Sequence, residues 1–386
     1  MAHTFIMPEM ILSGRDAVQQ SMGYMPGPPE KALLLTSAHH VEYGHVEVIT
    51  EVLEREGRTY CIYGQINQEP TDSMVEEVIR LYQEEQCSYF IALGGGSVID
   101  VMKAAALLVS NPGSIADYAG KKKVSNPLPF MAAVPTTAGT GSEATQFTII
   151  TDTKRNIKML IGMKELMPKL VLLMPELTYT VPREVTVSTG MDSLIHALEA
   201  FLSKKAQPMS DSFAVSAVKR IFQNLPIVYS DGADHAARNE MAFAALEAGI
   251  AFNNSSVTLI HGMSRPIGAL FHIPHGLSNA MLLQECLYFM ADSAPDRLAA
   301  LSEAVHAAEN GMSEKEKVEA FLKKISALCG FCAIPTLEEY GVGREEFMRQ
   351  ADKMAEDALA SGSPQNLRKN IEKKDIISIY QKLWQK

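Results

Sequence analysis

The chain has 386 residues, 47% hydrophobic and 21% charged. That balance excludes a disordered chain or a disulfide-stapled miniprotein, and at roughly 150 residues per domain it predicts two or three folded domains. A net charge of -10 argues against nucleic acid or an anionic membrane as the main partner, since either attracts a basic surface, and leaves small molecules as the default.

The segment Met1–Leu12 carries Glu9 and no basic region followed by an apolar run, so no signal peptide is read there. Strand and helix signals then alternate. Ala32–Thr36 reads as a short buried strand, Val46–Glu56 as a helix, Thr59–Tyr63 as a strand and Thr71–Gln83 as an amphipathic helix with Met74, Val75, Val78, Ile79 and Tyr82 on its apolar side. Tyr89–Leu93 is a third strand, Val98–Val109 the next helix, and Pro129–Val134 a further short apolar run. Such alternation, without hairpin turns, predicts a mostly parallel sheet covered on both faces. Tyr89–Val109 is the most apolar stretch, but glycines, Asp100 and Lys103 break it, so no run reaches the roughly 20 apolar residues that span a bilayer.

The third strand runs into Gly94-Gly95-Gly96-Ser97 and then directly into a helix, which presents bare backbone N–H groups where a phosphate can sit. Ile99 holds the last glycine position of G-x-G-x-x-G, so the same turn also reads as a tight strand-to-helix connection. Pro135-Thr136-Thr137-Ala138-Gly139-Thr140-Gly141-Ser142-Glu143 is crowded with small hydroxyl donors for phosphate or ribose, or for capping a helix. Two such turns in one α/β domain favour a dinucleotide. The Lys121-Lys122-Lys123 run reads as a solvated loop.

After Val181-Pro182 the pattern turns helical, over Thr189–Ser203, Met209–Gln223, Asp234–Phe252, Ser278–Met290, Pro295–Asn310 and Lys315–Leu328. An α/β domain over 1–182 and an all-helical domain over 183–386 follow, with an active site expected in the cleft between them. Thr189 reads as the cap of a helix that carries Asp192 and His196 at i and i+4, one face apart by a single turn. Such a pair ligates a divalent ion or simply sits on the surface. His261, His272 and His275 lie in apolar surroundings, where buried imidazoles need partners. One Asp with three His suits ferrous iron, zinc or manganese and not calcium; His272 reads as a wall residue or a substitute ligand. Five cysteines (Cys61, Cys87, Cys286, Cys329 and Cys332) at irregular spacing fit reduced thiols in a cytoplasm, and Cys329-Gly330-Phe331-Cys332 ends a helix where a redox motif opens one.

Four blocks, Gly94-Gly95-Gly96-Ser97 with Asp100, Pro135–Thr140 with Glu143, Thr189-Gly190-Met191-Asp192 with His196, and His261-Gly262-Met263 with Pro274-His275-Gly276, occur in one order and spacing. In these blocks, and over nearly the whole chain to a helical tail at Ile376–Trp384, the sequence resembles the iron-containing (group III) alcohol dehydrogenases. The resemblance implies a dinucleotide-binding domain followed by a metal-binding domain. It implies Fe2+, with Zn2+ or Mn2+ also suited, held by Asp192, His196, His261 and His275. NAD(H) or NADP(H) is then contacted at Gly95, Gly96, Ser97, Thr136, Thr137, Thr140 and Ser142, with Lys158 near the nicotinamide ribose. Hydride passes between nicotinamide and a small primary alcohol or aldehyde, and a homo-oligomer is expected. Two rivals are an NAD- and metal-dependent lyase like dehydroquinate synthase, whose ligands follow a Glu/His/His pattern, and a catalytically silent nucleotide-binding assembly protein.

Three positions depart from the family. Ser37, followed by Ala38-His39-His40, replaces the Asp that repels a 2′-phosphate, which places Ser37 and His39 near that phosphate and admits NADP(H). Arg265 replaces a histidine four residues after the third ligand; near a cation it is unfavourable unless an anionic substrate tail intervenes, the other readings being a structural ion pair or a solvated side chain. Glu69 stands where an Asn near the adenosine is common.

Overall fold

The computed structural model describes residues 2–119, 123–155 and 157–385. Lys121 and Lys122 of the basic run, and Asn156 near Lys158, lie outside the described residues. The chain divides into two compact units, Ile6–Thr180 and Val181–Lys386, the latter joined by the residues up to Phe5.

In the first unit the elements are β1 (Met10–Ser13), α1 (Ala17–Ser21), β2 (Ala32–Leu35), α2 (Ala38–Glu42), α3 (Glu47–Arg55), β3 (Tyr60–Tyr63), α4 (Asp72–Glu84) and β4 (Tyr89–Gly94). They continue with α5 (Gly96–Ser110), α6 (Ile115–Ala119), β5 (Met131–Pro135), β6 (Phe147–Asp152), β7 (Ile157–Gly162) and β8 (Leu170–Leu173). Six strands form one sheet in the order β1-β8-β5-β4-β2-β3, and every pairing is parallel. Alternate residues feed opposite faces: Leu33, Leu35, Phe90 and Ala92 join one core, Ala32, Leu34, Tyr89, Ile91 and Leu93 the other. This two-sided burial is why the strands read as unbroken apolar runs.

β6 and β7 depart from the expectation of a sheet without hairpins. They pair antiparallel with each other in a separate two-stranded sheet, Phe147 opposite Gly162. Only one face of β7 is buried, so its residues alternate between exposed and buried and it lacks the continuous hydrophobicity of the central strands. β1 also escapes a hydropathy reading, because it is four residues long at the sheet edge and none of its residues is fully buried.

The second unit is helical among its described residues: α7 (Arg183–Leu202), α8 (Pro208–Ser230), α9 (His235–Ser255), α10 (Leu259–Phe271), α11 (His275–Met290), α12 (Pro295–Ala304), α13 (Glu314–Phe331), α14 (Arg344–Ala360) and α15 (Lys373–Lys382). Residues 190–202 of α7 are all buried, as befits a helix enclosed on every side; α8, α9 and α11 pack around it. The helix begins at Arg183, so Thr189 is not its cap. The Thr189 hydroxyl instead donates to the Val185 carbonyl one turn back at 2.8 Å, the mid-helix alternative open to threonine. α12 ends at Ala304, six residues short of the expected Asn310, where His306 adopts φ +55°. α10 and α14 fall outside the helices read from periodicity. Pro266 inside α10 imitates a helix breaker, although ring and neighbours are accommodated there. No helix among the described residues is long and apolar enough to cross a membrane.

Candidate metal centre and nucleotide turns

The α7 face carrying Asp192 and His196 also carries Glu199, seven residues after Asp192. α10 brings His261 to it, and His275 is the first residue of α11. Gly276 makes the last approach possible: a Cβ there would lie 2.2 Å from the Ser188 carbonyl oxygen of α7. Asp192, His261 and His275 each direct one ligand atom into a group whose members lie within 4.8 Å of one another. Nε2 of His261 is 3.5 Å from Oδ1 of Asp192, and Nε2 of His275 is 3.8 Å from the same oxygen. His196 stands beside this group, its Nδ1 3.9 Å from Asp192 Oδ2 and its ring stacked between Phe252 and His261. His272 is the left-handed cap of α10 with φ +53° and belongs to no such group.

The donor set fits a divalent cation. Asn279 Nδ2 donates to Asp192 Oδ1 at 2.7 Å and also faces His261 Nε2 at 3.2 Å and His275 Nε2 at 3.3 Å. An amide nitrogen has two protons, so three converging acceptors exceed what it can satisfy. Asn279 Oδ1 and His196 Nδ1 remain buried without hydrogen-bond partners. Burial pushes the Asp192 carboxyl up, but the imidazoles of His196, His275 and His261 overrule it and hold the group far below the usual carboxylate range. His196 is pushed down to about 3, chiefly by burial, against the pull of Asp192. One carboxylate and three imidazoles form the oxygen/nitrogen set expected of iron, zinc or manganese.

Glu199 is the residue sequence reasoning missed. Fully buried, it accepts from Ile260 N at 2.6 Å and Thr258 Oγ1 at 2.8 Å, and faces His261 Nδ1 at 2.6 Å. A proton on that Nδ1 leaves the Nε2 lone pair of His261 aimed at Asp192, the orientation a ligand needs. Its signal was an acid on the Asp192–His196 face within the apolar run Leu194–Leu202.

In the first unit the two turns adjoin. β4 and β5 are paired, with Gly94 opposite Pro135, and Thr136 N donates to the Gly94 carbonyl at 3.2 Å. A Cβ on Gly96 would lie 2.9 Å from Thr140, and one on Gly95 3.3 Å from Thr137 Oγ1. Gly95 caps α5 and Ser97 lies in its first turn, so bare N–H groups and hydroxyls share the carboxyl ends of neighbouring parallel strands, where a phosphate is stabilised. The second turn is held from below by Lys103, whose Nζ donates to the carbonyls of Ser142, Thr145 and Phe147 at 2.6, 2.8 and 2.8 Å. Burial brings the lysine down to about 8 and Glu143 up to about 7. The Ser142 hydroxyl donates to Asp100 at 2.6 Å, so its proton is committed to the frame of the turn.

Ser37 caps α2, accepting from His40 N at 3.5 Å, and His39 is exposed. His40 Nε2 is 3.0 Å from Thr136 Oγ1, which links that segment to the second turn. Burial, with His45 and His39 nearby, lowers His40 to about 4. Lys158 on β7 forms an ion pair with Glu69 at 2.6 Å, joining two positions that the sequence reading treated separately. Arg265 lies one turn past His261; its Nη1 donates to Ser363 Oγ at 3.2 Å, and it forms no ion pair among the described residues.

Residues 8–175 match the family described as iron-containing alcohol dehydrogenase, and 186–384 the Fe-containing alcohol dehydrogenase family, C-terminal. The chain belongs to the iron-containing alcohol dehydrogenases. It is 32% identical to the NAD-dependent methanol dehydrogenase of Bacillus methanolicus over 366 residues, 94% of this chain and 96% of the relative. A crystal structure of 1,3-propanediol oxidoreductase superposes with TM-score 0.94 at 30% identity, covering 100% of both chains. The sulfoacetaldehyde reductase of Bifidobacterium kashiwanohense, solved with NAD+, gives TM-score 0.86 at 27% identity over 99% of each chain. Membership makes this iron-containing dehydrogenase an alcohol/aldehyde oxidoreductase with iron and NAD(H) as cofactors. The lyase reading is not favoured.

Proposed function

We propose that Asp192, His196, His261 and His275 hold the iron, that Gly95, Gly96, Ser97, Thr136, Thr137, Thr140 and Ser142 line the nucleotide site with Lys158 at the ribose, and that the substrate is a small primary alcohol or aldehyde. The observation that carries this is the Asp192–His261–His275 group, whose lone pairs converge within 4.8 Å on a buried amide. When bound, iron supplies a Lewis acid for the carbonyl or alcohol oxygen and the nicotinamide supplies or accepts the hydride. The chain's own part is to aim those lone pairs through Glu199 and Asn279, and to hold the phosphates against unprotected backbone at Gly95 and Gly96.

Two finer readings belong to the same proposal. Ser37 and His39 at the end of β2 carry no carboxylate against a 2′-phosphate, which supports use of NADP(H) as well as NAD(H). Arg265, half-buried on α10 and bonded to the Ser363 hydroxyl, supports an aldehyde with an anionic tail; Glu199, the carboxylate acting on it, is already committed to His261. A sulfonate is one such tail, as in the substrate naming the Bifidobacterium relative. Five free thiols support a reducing cytoplasmic setting, and we expect a homo-oligomer, with light scattering as the check.

The test loads the protein anaerobically with Fe2+ and follows NADH and NADPH oxidation with neutral and acidic short aldehydes. Turnover with both cofactors, lost in Asp192→Ala while NADH still binds, is the expected outcome. Undiminished turnover in Asp192→Ala would sink the assignment.

A further inference from the structure

A second group of imidazoles lies in the first unit. His39 and His40 are on α2, and His45 follows the turn at Gly44, whose φ of +70° reverses the chain. Nδ1 of His40 and Nδ1 of His45 are 2.8 Å apart. One ligand atom from each of the three histidines lies within 4.8 Å of the other two. The remaining nitrogen of His40 is 3.0 Å from Thr136 Oγ1; a proton held there leaves Nδ1 as the lone pair facing His45. A ring whose far nitrogen is anchored in this way is how proteins orient a metal-binding histidine.

Three imidazoles with no carboxylate among them select borderline cations such as Zn2+, Co2+ or Ni2+ over Mg2+ or Ca2+. With nitrogen ligands at about 2.0–2.1 Å, ligand atoms of a tetrahedral site stand about 3.3–3.4 Å apart. The His40 and His45 nitrogens therefore separate by about half an ångström on binding, and His39, exposed on a five-residue helix, closes the third side. The geometry points to a second divalent-cation site, made by His39, His40 and His45 and open to water at its fourth position.

The experiment counts Co2+ bound by the full chain after chelator stripping, using equilibrium dialysis and the visible d–d bands that report tetrahedral cobalt. Wild type is expected to bind two equivalents, His45→Gln one, Asp192→Ala one, and the double variant none. His39→Gln, at an exposed position, is expected to weaken the second equivalent at least about tenfold; circular dichroism verifies the fold of each variant. One equivalent in wild type, abolished by Asp192→Ala, overturns this site and leaves the iron assignment standing. One equivalent retained in Asp192→Ala and lost in His45→Gln does the reverse. If His45→Gln changes only NADPH affinity in metal-free protein, the cluster is an anion site and the proposal fails.

Discussion

Glu199 takes no place among the proposed ligands, yet its carboxylate faces His261 Nδ1 while accepting from Thr258 and Ile260. Removing its charge frees the His261 tautomer, so Glu199→Gln is expected to weaken Fe2+ binding 10- to about 100-fold with the helical circular dichroism unchanged. Competition with a chelator of known affinity measures this, and wild-type affinity in the variant would refute the positioning role. Arg265 is a separate case. A bidentate guanidinium contact to an anionic tail is worth about 1.5–3 kcal/mol, so Arg265→Ala should raise KM for an acidic aldehyde by roughly 10- to 100-fold and leave a neutral aldehyde of equal length nearly unaffected. Equal losses on both would mean that Arg265 serves the fold through Ser363 and not the substrate.

α7 and α11 meet where Gly276 lies against the Ser188 backbone. Carbonyl oxygen cannot retreat as the end of a flexible side chain can, so Gly276→Ala forces the two helices apart. A core overpacking of this kind costs about 1–3 kcal/mol, which for a unit of this size is a fall of several degrees in Tm. Because His275 adjoins Gly276, iron content should fall together with Tm. A lowered Tm with full iron occupancy would show that the centre tolerates the displacement. The same reasoning explains why the glycine turn departs from the G-x-G-x-x-G fingerprint: Gly94 and Gly96 are needed against Val98 and Thr140, and Ile99, buried within α5, faces the core.

For the molecule as a whole, the residues proposed for the metal and for the nucleotide fall in different compact units, which gives each ligand its own footprint. Hydrogen exchange should slow in α7, α10 and α11 when Fe2+ is added, and in 94–100 and 136–142 when NADH is added, since a ligand of the native state suppresses local opening around its own contacts. Protection of 136–142 by Fe2+ alone, with none in α7, would contradict the division. The alternation of buried strands with amphipathic helices, the two turns and the Asp192–His196 pair were all readable along the chain, because each depends on residues only a few positions apart and on periodicities of two or of 3.6. Sequence by itself thus determined the α/β-then-helical order and, with the family resemblance, the reaction class. The convergence of Asp192 with His261 and His275, the commitment of Glu199 to His261, the pairing of Lys158 with Glu69 and the meeting of His40 with Thr136 were decided only in the tertiary structure. These contacts join residues 62 or more positions apart, except for His261 and His275 themselves. No local propensity encodes such distances; they follow from the way enclosed helices and parallel strands pack.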